Sequence, residues 1–296
     1  MTSHVRPPRV TVGVPFHNEA RWLGDAIRSV LAQTMADFEL LLLDDGSTDG
    51  SVEIARSFSD PRISVLSDGV RRHLPARLNE LVRRARGELV ARMDADDVSH
   101  PARLERELAV MDADPGCDAV GTWAMLVDED DNPLGVLESA PLPATLPIAL
   151  ARGVFPHATM LARRRWLLEH AYDEALTRSE DRDLWCRTVE SSTFRVIPEV
   201  LYVVRVSPGA SSFLPDYLVA PRQNREILAR YGRGSIGVIR TGRAWFSSHA
   251  KSMTMRLAGR LGLAERIVRR RGRTPTAAEC ALAEGALRAA NATHRA

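Results

Sequence analysis

The first half of the chain alternates short apolar runs with longer segments whose apolar residues recur every three or four positions. Residues 9–14, R-V-T-V-G-V, form a β-branched apolar run ended by Pro15, the pattern of a short buried strand. From about Glu19, the residues Trp22, Leu23, Ile27, Val30 and Leu31 fall at helical spacing. Residues 38–43, F-E-L-L-L-L, predict a second strand, cut off by D-D-G-S-T-D-G-S. A short helix over 52–58 and a third strand over 62–66 follow. The spacing then predicts a helix over 75–86 with Gly87 as its C-cap, and a fourth strand over 88–93. A further helix starts at Pro101, with the proline in its first turn, and carries Leu104, Leu108 and Met111.

Such alternation predicts an α/β fold: a mostly parallel, Rossmann-like sheet flanked by helices. Ligands of these sheets bind beyond the carboxyl ends of the strands. Two acidic clusters, at 44–49 and 94–97, stand at such ends. The second half predicts a smaller α+β extension that completes the site. It has strands over 117–127, 157–162, 194–197 and 200–206, helices over 164–170 and 181–190, a turn at 130–133 and a proline-punctuated loop at 141–147. From about Asp216 the pattern becomes helical and basic. The expected division is a domain over 1–215, in halves 9–115 and 116–215, and a C-terminal region over 216–296.

The net charge of the 296 residues is +2, which gives no general attraction for nucleic acid. Cys117, Cys186 and Cys280 are odd in number and form no C-x-x-C, so neither a disulfide framework nor a zinc knuckle is expected. The N-terminus lacks an apolar signal core, and no apolar run reaches the roughly 18–20 residues needed to span a bilayer. A cytoplasmic location is expected.

The stretch A-R-M-D-A-D-D-V at 91–98 places three aspartates in four positions at the end of a strand. Like charges this close repel and raise each other's pKa, so they need bulk water or a cation. Hard divalent ions such as Mg²⁺ or Mn²⁺ take one or two carboxylates plus substrate phosphates, and could neutralise a departing diphosphate. In D-D-G-S-T-D-G-S, Gly46 allows a tight turn, and a carboxylate can accept from a base edge or a ribose. R-S-E-D-R-D-L-W-C-R puts Glu180, Asp181 and Asp183 at a helix start, where one carboxylate could act as general base toward a hydroxyl. Each cluster alone also reads as a solvated turn that caps a helix. The first strand leads into V-P-F-H-N-E, not G-x-G-x-x-G, which argues against a nicotinamide-dinucleotide enzyme.

Taken together over about residues 9–212, V-P-F-H-N-E, D-F-E-L-L-L-L-D-D-G-S-T-D-G-S, N-E-L-V-R-R-A-R-G-E-L-V-A-R-M-D-A-D-D and S-E-D-R-D-L-W resemble, in order and spacing, the family 2 glycosyltransferases of the GT-A fold. The resemblance implies an inverting transferase that uses a nucleotide-diphospho-sugar, with UDP or dTDP as the expected carrier, and Mn²⁺ or Mg²⁺. By position, Pro15, His17 and Glu19 border the nucleotide, and Asp45 accepts from the base. Asp94 and Asp96 form the D-x-D, with Asp96 the metal ligand and Asp94 toward the ribose. Asp181, after Glu180, is the catalytic base. His157 in F-P-H-A-T-M-L-A-R-R and Trp185 lie on the acceptor side. Arg205 in V-V-R-V-S-P-G-A-S-S fits a phosphate-binding arginine. Ser207 stands where many members carry a histidine. Arg71 and Arg72 fall in a loop that often meets the base or the phosphates.

Between Arg240 and Arg273 the tail has ten basic residues and one acidic one, Glu265, interleaved with apolar side chains. It reads as a packed helical cap or as a basic amphipathic surface for anionic lipid, which would suit peripheral membrane contact. A nucleotidyltransferase would carry a glycine- and arginine-rich loop after the first strand, which V-P-F-H-N-E is not. The remaining alternative is a non-catalytic sugar-nucleotide or membrane-surface binder on the same fold.

Overall fold

The computed structural model describes residues 6–206, 222–232, 234, 237 and 272–292. In chain order the elements are β1 (Val10–Phe16), α1 (Leu23–Leu31), β2 (Phe38–Asp44), α2 (Ser51–Ser57), β3 (Ile63–Leu66), α3 (Leu74–Arg84), β4 (Leu89–Arg92), β5 (Val98–Ser99) and α4 (Arg103–Ala113). There follow β6 (Ala119–Val127), β7 (Pro133–Leu137), α5 (Leu146–Arg152), a 3₁₀ turn (His157–Thr159), β8 (Leu161–Arg163), α6 (Arg164–Glu169), α7 (Glu180–Thr188) and β9 (Phe194–Arg205). A π-helical turn spans Leu228–Gly232, and the last helix, α8, spans Ala277–Ala292.

The nine strands among the described residues join one sheet, in the order β3-β2-β1-β4-β8-β6-β9-β5, with β7 on β6. β3, β2, β1 and β4 are parallel. β8 runs antiparallel to both β4 and β6 and so welds the parallel part to the mixed part. The sheet is therefore continuous across the two halves expected from the sequence. The expected boundary at 215 lies outside the described residues, as do Ser207 and nearly all of the basic stretch 240–273.

The continuous apolar run of β2 has a direct structural cause. Leu40 and Leu42 pack on one face of the sheet with Val10, Val12, Val14, Leu23, Ile27 and Leu104. Leu41 and Leu43 pack on the other with Leu78, Leu81, Val90 and Trp166. With both faces buried, neither face of the strand can be polar. The third core cluster joins Ala283, Ala286, Leu287 and Ala290 of α8 to Val98, Met125, Val127 and Val203. The last helix thus seals the β5–β9 end.

Five expectations change. Helix α3 stops at Arg84 with Ala85 as its C-cap, so Gly87 is not the cap. A Cβ at Gly87 would lie 2.6 Å from the Thr11 amide nitrogen and 2.8 Å from the Val10 carbonyl carbon, so this glycine lets the chain pass against β1. Pro101 sits in a turn ahead of α4, which starts at Arg103. The loop expected at 141–147 holds to Thr145, and α5 takes its last two residues, with Pro147 in the first turn, where proline is tolerated. The strand expected over 157–162 is a 3₁₀ turn followed by β8, and the two strands expected over 194–206 are one, β9, with register shifts against β6 between Thr122 and Ala124.

Candidate active site

Three loops at the carboxyl ends of β1, β2 and β4 build one acidic site, and the chain stitches them together with short polar side chains. After β1, Asn18 takes a positive φ of 58°. Its amide oxygen accepts from the Thr48 N–H at 2.8 Å, and its own N–H donates to the Ser47 hydroxyl at 3.1 Å. The Glu19 N–H donates to the Ser51 hydroxyl at 2.8 Å. The β1–α1 loop is thereby fixed on the β2–α2 loop. Gly46, at φ +72°, lets residues 70–71 pack against the latter, since a Cβ there would meet the Arg71 nitrogen at 2.8 Å.

The two aspartates after β2 divide their work. Asp44 accepts from the Ser47 N–H at 2.8 Å and from the Ser67 hydroxyl at 2.6 Å, which caps the turn. Asp45 accepts from the Arg72 N–H at 2.6 Å, the His73 N–H at 3.0 Å and the buried Arg77 Nε at 3.1 Å. Three of the roughly four lone-pair positions of the Asp45 carboxylate are so used, leaving about one for a ligand. The Arg72 side chain itself turns outward to Asp68. Pro15 lies buried in β1 opposite Leu43, past Gly13, the last residue paired with β4. The His17 ring lies two residues further on, with a buried Nδ1 that has no hydrogen-bond partner among the described residues.

After β4 come the three aspartates, and the structure sorts them. Asp94 is held by Arg92 through two hydrogen bonds, of 2.6 and 3.1 Å, and its backbone N–H donates to the Tyr202 hydroxyl at 3.0 Å. Asp97 is fully buried and accepts the Arg205 N–H at 3.0 Å. Burial, then Asp96 and Asp94, push its pKa well above the usual carboxylate range. Asp96 stands between them. Burial and the neighbouring Asp94 push its pKa up to about 6. Glu19, facing the same cluster from the β1 loop, is pushed up to about 8 by burial and then by Asp96, Asp94 and Asp49. Three crowded acids with raised pKa values, Asp96, Asp97 and Glu19, mark a region short of positive charge.

That shortage is the test of whether a divalent cation fits. The donors are hard oxygens, as Mg²⁺ and Mn²⁺ require, and Asp96 and Glu19 lack a cationic partner among the described residues. Those residues contain no ready-made cluster of three His, Cys, Asp or Glu ligands. One or two carboxylates with substrate phosphates completing the shell is the mode the site can offer.

The Arg205 guanidinium, expected at a phosphate, is already engaged by carboxylates. It is buried, pairs with Asp131 at 2.9 Å and Asp25 at 3.1 Å, and lies 4.2 Å from the Trp22 ring centroid. It acts instead as a clasp under the aspartate loop, since its Nη1 also reaches the Asp96 carbonyl at 3.4 Å.

The Glu180–Asp181 pair starts α7. Glu180 is buried and pushed up to about 8 by burial and then by Asp181; Arg92 opposes this and Asp94 adds to it. The two acidic motifs, remote in sequence, therefore meet electrostatically at Arg92 and Asp94. Asp181 is half-buried and lines a cleft of about 170 Å³ with His157, Arg152 and Pro156. Its Oδ1 accepts the Arg182 N–H at 2.7 Å. His157 is buried, with Nε2 at 2.8 Å from the Tyr172 hydroxyl and Nδ1 at 4.0 Å from Glu180. Burial and then Arg92 hold its pKa well below the usual imidazole value, so the ring is neutral. Trp185 does not face the cleft. It is fully buried, edge-on to Phe155 and Phe194. Asp183 is structural, paired with Arg187 at 2.7 Å and Arg230 at 2.9 Å. Sequence reasoning missed Arg92, Tyr202, Asp25 and Asp131. Arg92 alone left a signal, as the one charge inside the apolar run of β4.

Residues 11–169 match the model of the family described as "Glycosyl transferase family 2". The chain belongs to that family. It is a glycosyltransferase of the GT-A fold. EpsE of Bacillus subtilis (strain 168) is 35% identical over 213 residues, 69% of this chain and 75% of that protein. The O-antigen biosynthesis glycosyltransferase WbnJ of Escherichia coli is 28% identical over 183 residues, 60% of this chain and 70% of its own. Among solved structures, the fold superimposes on residues 1–349 of S. aureus TarS in complex with UDP-GlcNAc, with a TM-score of 0.59 at 18% identity, covering 77% of this chain and 67% of that one. It also matches the mannosyltransferase PcManGT of Pyrobaculum calidifontis in complex with GDP-Man and Mn²⁺, with a TM-score of 0.58 at 20% identity, covering 97% of this chain and 87% of that one. Among the described residues, no helix of the glycosyltransferase is long and apolar enough to cross a membrane.

Proposed function

We propose that the glycosyltransferase moves a sugar from a UDP- or dTDP-sugar to an acceptor hydroxyl with inversion, in the assembly of a polysaccharide. The observation that carries this reading is the meeting of Glu180–Asp181 with Arg92–Asp94 beside Asp96 and Glu19. The names of relatives such as WbnJ support a polysaccharide product.

Asp45, already rigid on three donors, accepts from the imide N–H of a pyrimidine with its remaining lone pair. Asp94, fixed by Arg92 and Tyr202, takes the ribose. Asp96, with Asp94 beside it, would hold Mn²⁺ or Mg²⁺, which when bound offsets the charge of the donor diphosphate. Asp181 takes the proton of the acceptor hydroxyl while that oxygen attacks the anomeric carbon opposite the departing diphosphate. A base on that face makes inversion a single displacement with no covalent intermediate. Glu180, protonated at neutral pH by its burial, adds no second negative charge beside the base. Neutral His157 and Tyr172 brace it from behind.

Thermal unfolding tests the donor site. The panel is UDP, dTDP, GDP, CDP and ADP, each with and without Mn²⁺, on wild type and Asp96→Ala. A ligand at about 100 times its Kd raises stability by roughly 2.7 kcal/mol. A midpoint raised only by a pyrimidine diphosphate with metal, and lost in Asp96→Ala, is the expected result. A response to GDP instead would replace the assigned base. We further propose that the basic stretch 240–273 rests on anionic lipid. Equal vesicle flotation with and without residues 236–296 would sink that part.

A further inference from the structure

The register of the sheet gathers arginines at the edge opposite the active site. Val10 of β1 pairs with Leu89 of β4, and Leu89 pairs with Arg163 of antiparallel β8. The chain ends entering β1 and β4 and leaving β8 therefore converge at the amino-terminal edge of the parallel strands. All the aspartates of the donor site stand at the carboxyl edge. Between the converging ends lies a cleft of about 470 Å³, lined by Arg6, Arg9, Arg86, Arg163, Arg164 and Arg165, together with Pro7, Pro8, Gly87 and a single acid, Glu88.

Half of these arginines already have a carboxylate. Arg9 pairs with Asp112 at 2.6 Å, Arg86 with Glu39 at 2.5 Å and Arg163 with Glu88 at 3.2 Å. The other half do not. The Arg164 guanidinium donates to the neutral carbonyls of Val82 and Arg83, at 2.9 and 3.0 Å. Arg6 and Arg165 are exposed and have no ion-pair partner among the described residues. The carboxylates of Glu88 and Asp37 also act on Arg9. Three guanidinium charges thus face one concave surface with no ion-pair partner among the described residues. Folding alone gives no reason to collect them, because like charges so placed repel.

We propose that this cleft binds a phosphate-bearing anion. Planar guanidinium groups bind phosphate oxygens in pairs, and several converging from three chain segments suit a group with more than one anionic oxygen. The phosphate comes free in solution or on a lipid headgroup. Leu168 favours the lipid. It is one of three large apolar side chains exposed among the described residues, at 45%. It lies three positions after Arg165 on α6, on the same helix face. An arginine cleft rimmed by an exposed leucine is a surface that anionic lipid can accept. Because cleft and donor site occupy opposite edges of the sheet, anion binding leaves the donor site open.

The test uses the full chain and pyrophosphate as the free probe, with EDTA present to silence the donor site. Wild type, Asp96→Asn and the double variant Arg6→Ala/Arg165→Ala are compared by titration calorimetry. Both altered arginines are exposed and unpaired, so the double variant should unfold at the wild-type midpoint. Its Kd for pyrophosphate should be at least about tenfold weaker, while Asp96→Asn binds as wild type does. A second arm measures cosedimentation with phosphatidylglycerol vesicles, and with phosphatidylcholine as control. Loss of phosphatidylglycerol binding in the double variant assigns the headgroup. A pyrophosphate effect with vesicle binding absent, or unchanged in the double variant because the tail carries it, assigns the free anion. If wild type binds neither probe, or the double variant binds both as wild type does, the cleft is not an anion site.

Discussion

The Arg92 guanidinium grips Asp94 through two hydrogen bonds, of 2.6 and 3.1 Å, and is itself only 6% exposed. Asp96, two residues on, has no such partner. The two carboxylates of the D-x-D are therefore not equivalent, and each should fail differently. Asp96→Asn should abolish metal-dependent binding of the nucleotide. Asp94→Asn should weaken it less and leave Arg92 buried without its partner, at a cost of about 3 kcal/mol in stability. Calorimetric nucleotide titrations with and without Mn²⁺, beside urea unfolding of both variants, check this. Equal loss of nucleotide binding with equal stability would contradict the division of roles.

Trp185 belongs to the core rather than to the acceptor cleft. Trp185→Ala should cost about 3–5 kcal/mol. Trp185→Phe, which keeps most of the ring packing against Phe155 and Phe194, should leave the acceptor KM unchanged in the folded fraction. A change in acceptor KM at unchanged stability would return the residue to the acceptor side.

Gly87→Ala should destabilise by about 3 kcal/mol, because its Cβ would press on the backbone of Thr11, Val10 and Leu89, all closer than 3.0 Å. Backbone cannot move aside as a side-chain tip can. A midpoint in urea within error of wild type would rule out the close approach.

The buried pair Arg103–Glu107, at 3.1 Å, sets a pH dependence. Burial pushes Glu107 up to about 7, against the pull of Arg103. Between its ordinary value of 4.5 and about 7, the native state holds this proton more firmly than the unfolded chain does. Its contribution is therefore present at low pH and is lost as pH rises through 7. Glu107→Gln should flatten the decline in stability between pH 5 and 8, by something on the order of 2 kcal/mol. Urea midpoints measured across that range decide it. A decline as steep in the variant would show that Glu107 does not titrate there.

The parallel strands were legible because their residues are buried on both faces and end at acidic turns, as Leu40–Leu43 followed by Asp44 and Asp45 shows. The order of the acidic motifs was legible for the same reason, since strand ends place them. What stayed hidden depends on partners distant in the chain. Nothing near Arg205 announces Asp25 or Asp131, so an arginine expected at a phosphate proves to be a clasp. Nothing in the sequence around Arg103 and Glu107 marks them as buried, but the helix turns them inward, where Arg103 also reaches the Arg92 carbonyl at 3.0 Å. Pro147 reads as a breaker until its place in the first turn of α5 is known.

The central claim is that Asp181 is the base that activates the acceptor. Its direct measurement is Asp181→Asn, with donor affinity by calorimetry and sugar transfer by product formation measured on the same preparation. The account predicts an unchanged donor Kd with turnover reduced by about 10²–10⁴-fold. Turnover retained within a few-fold, or donor affinity and turnover lost together, would contradict it.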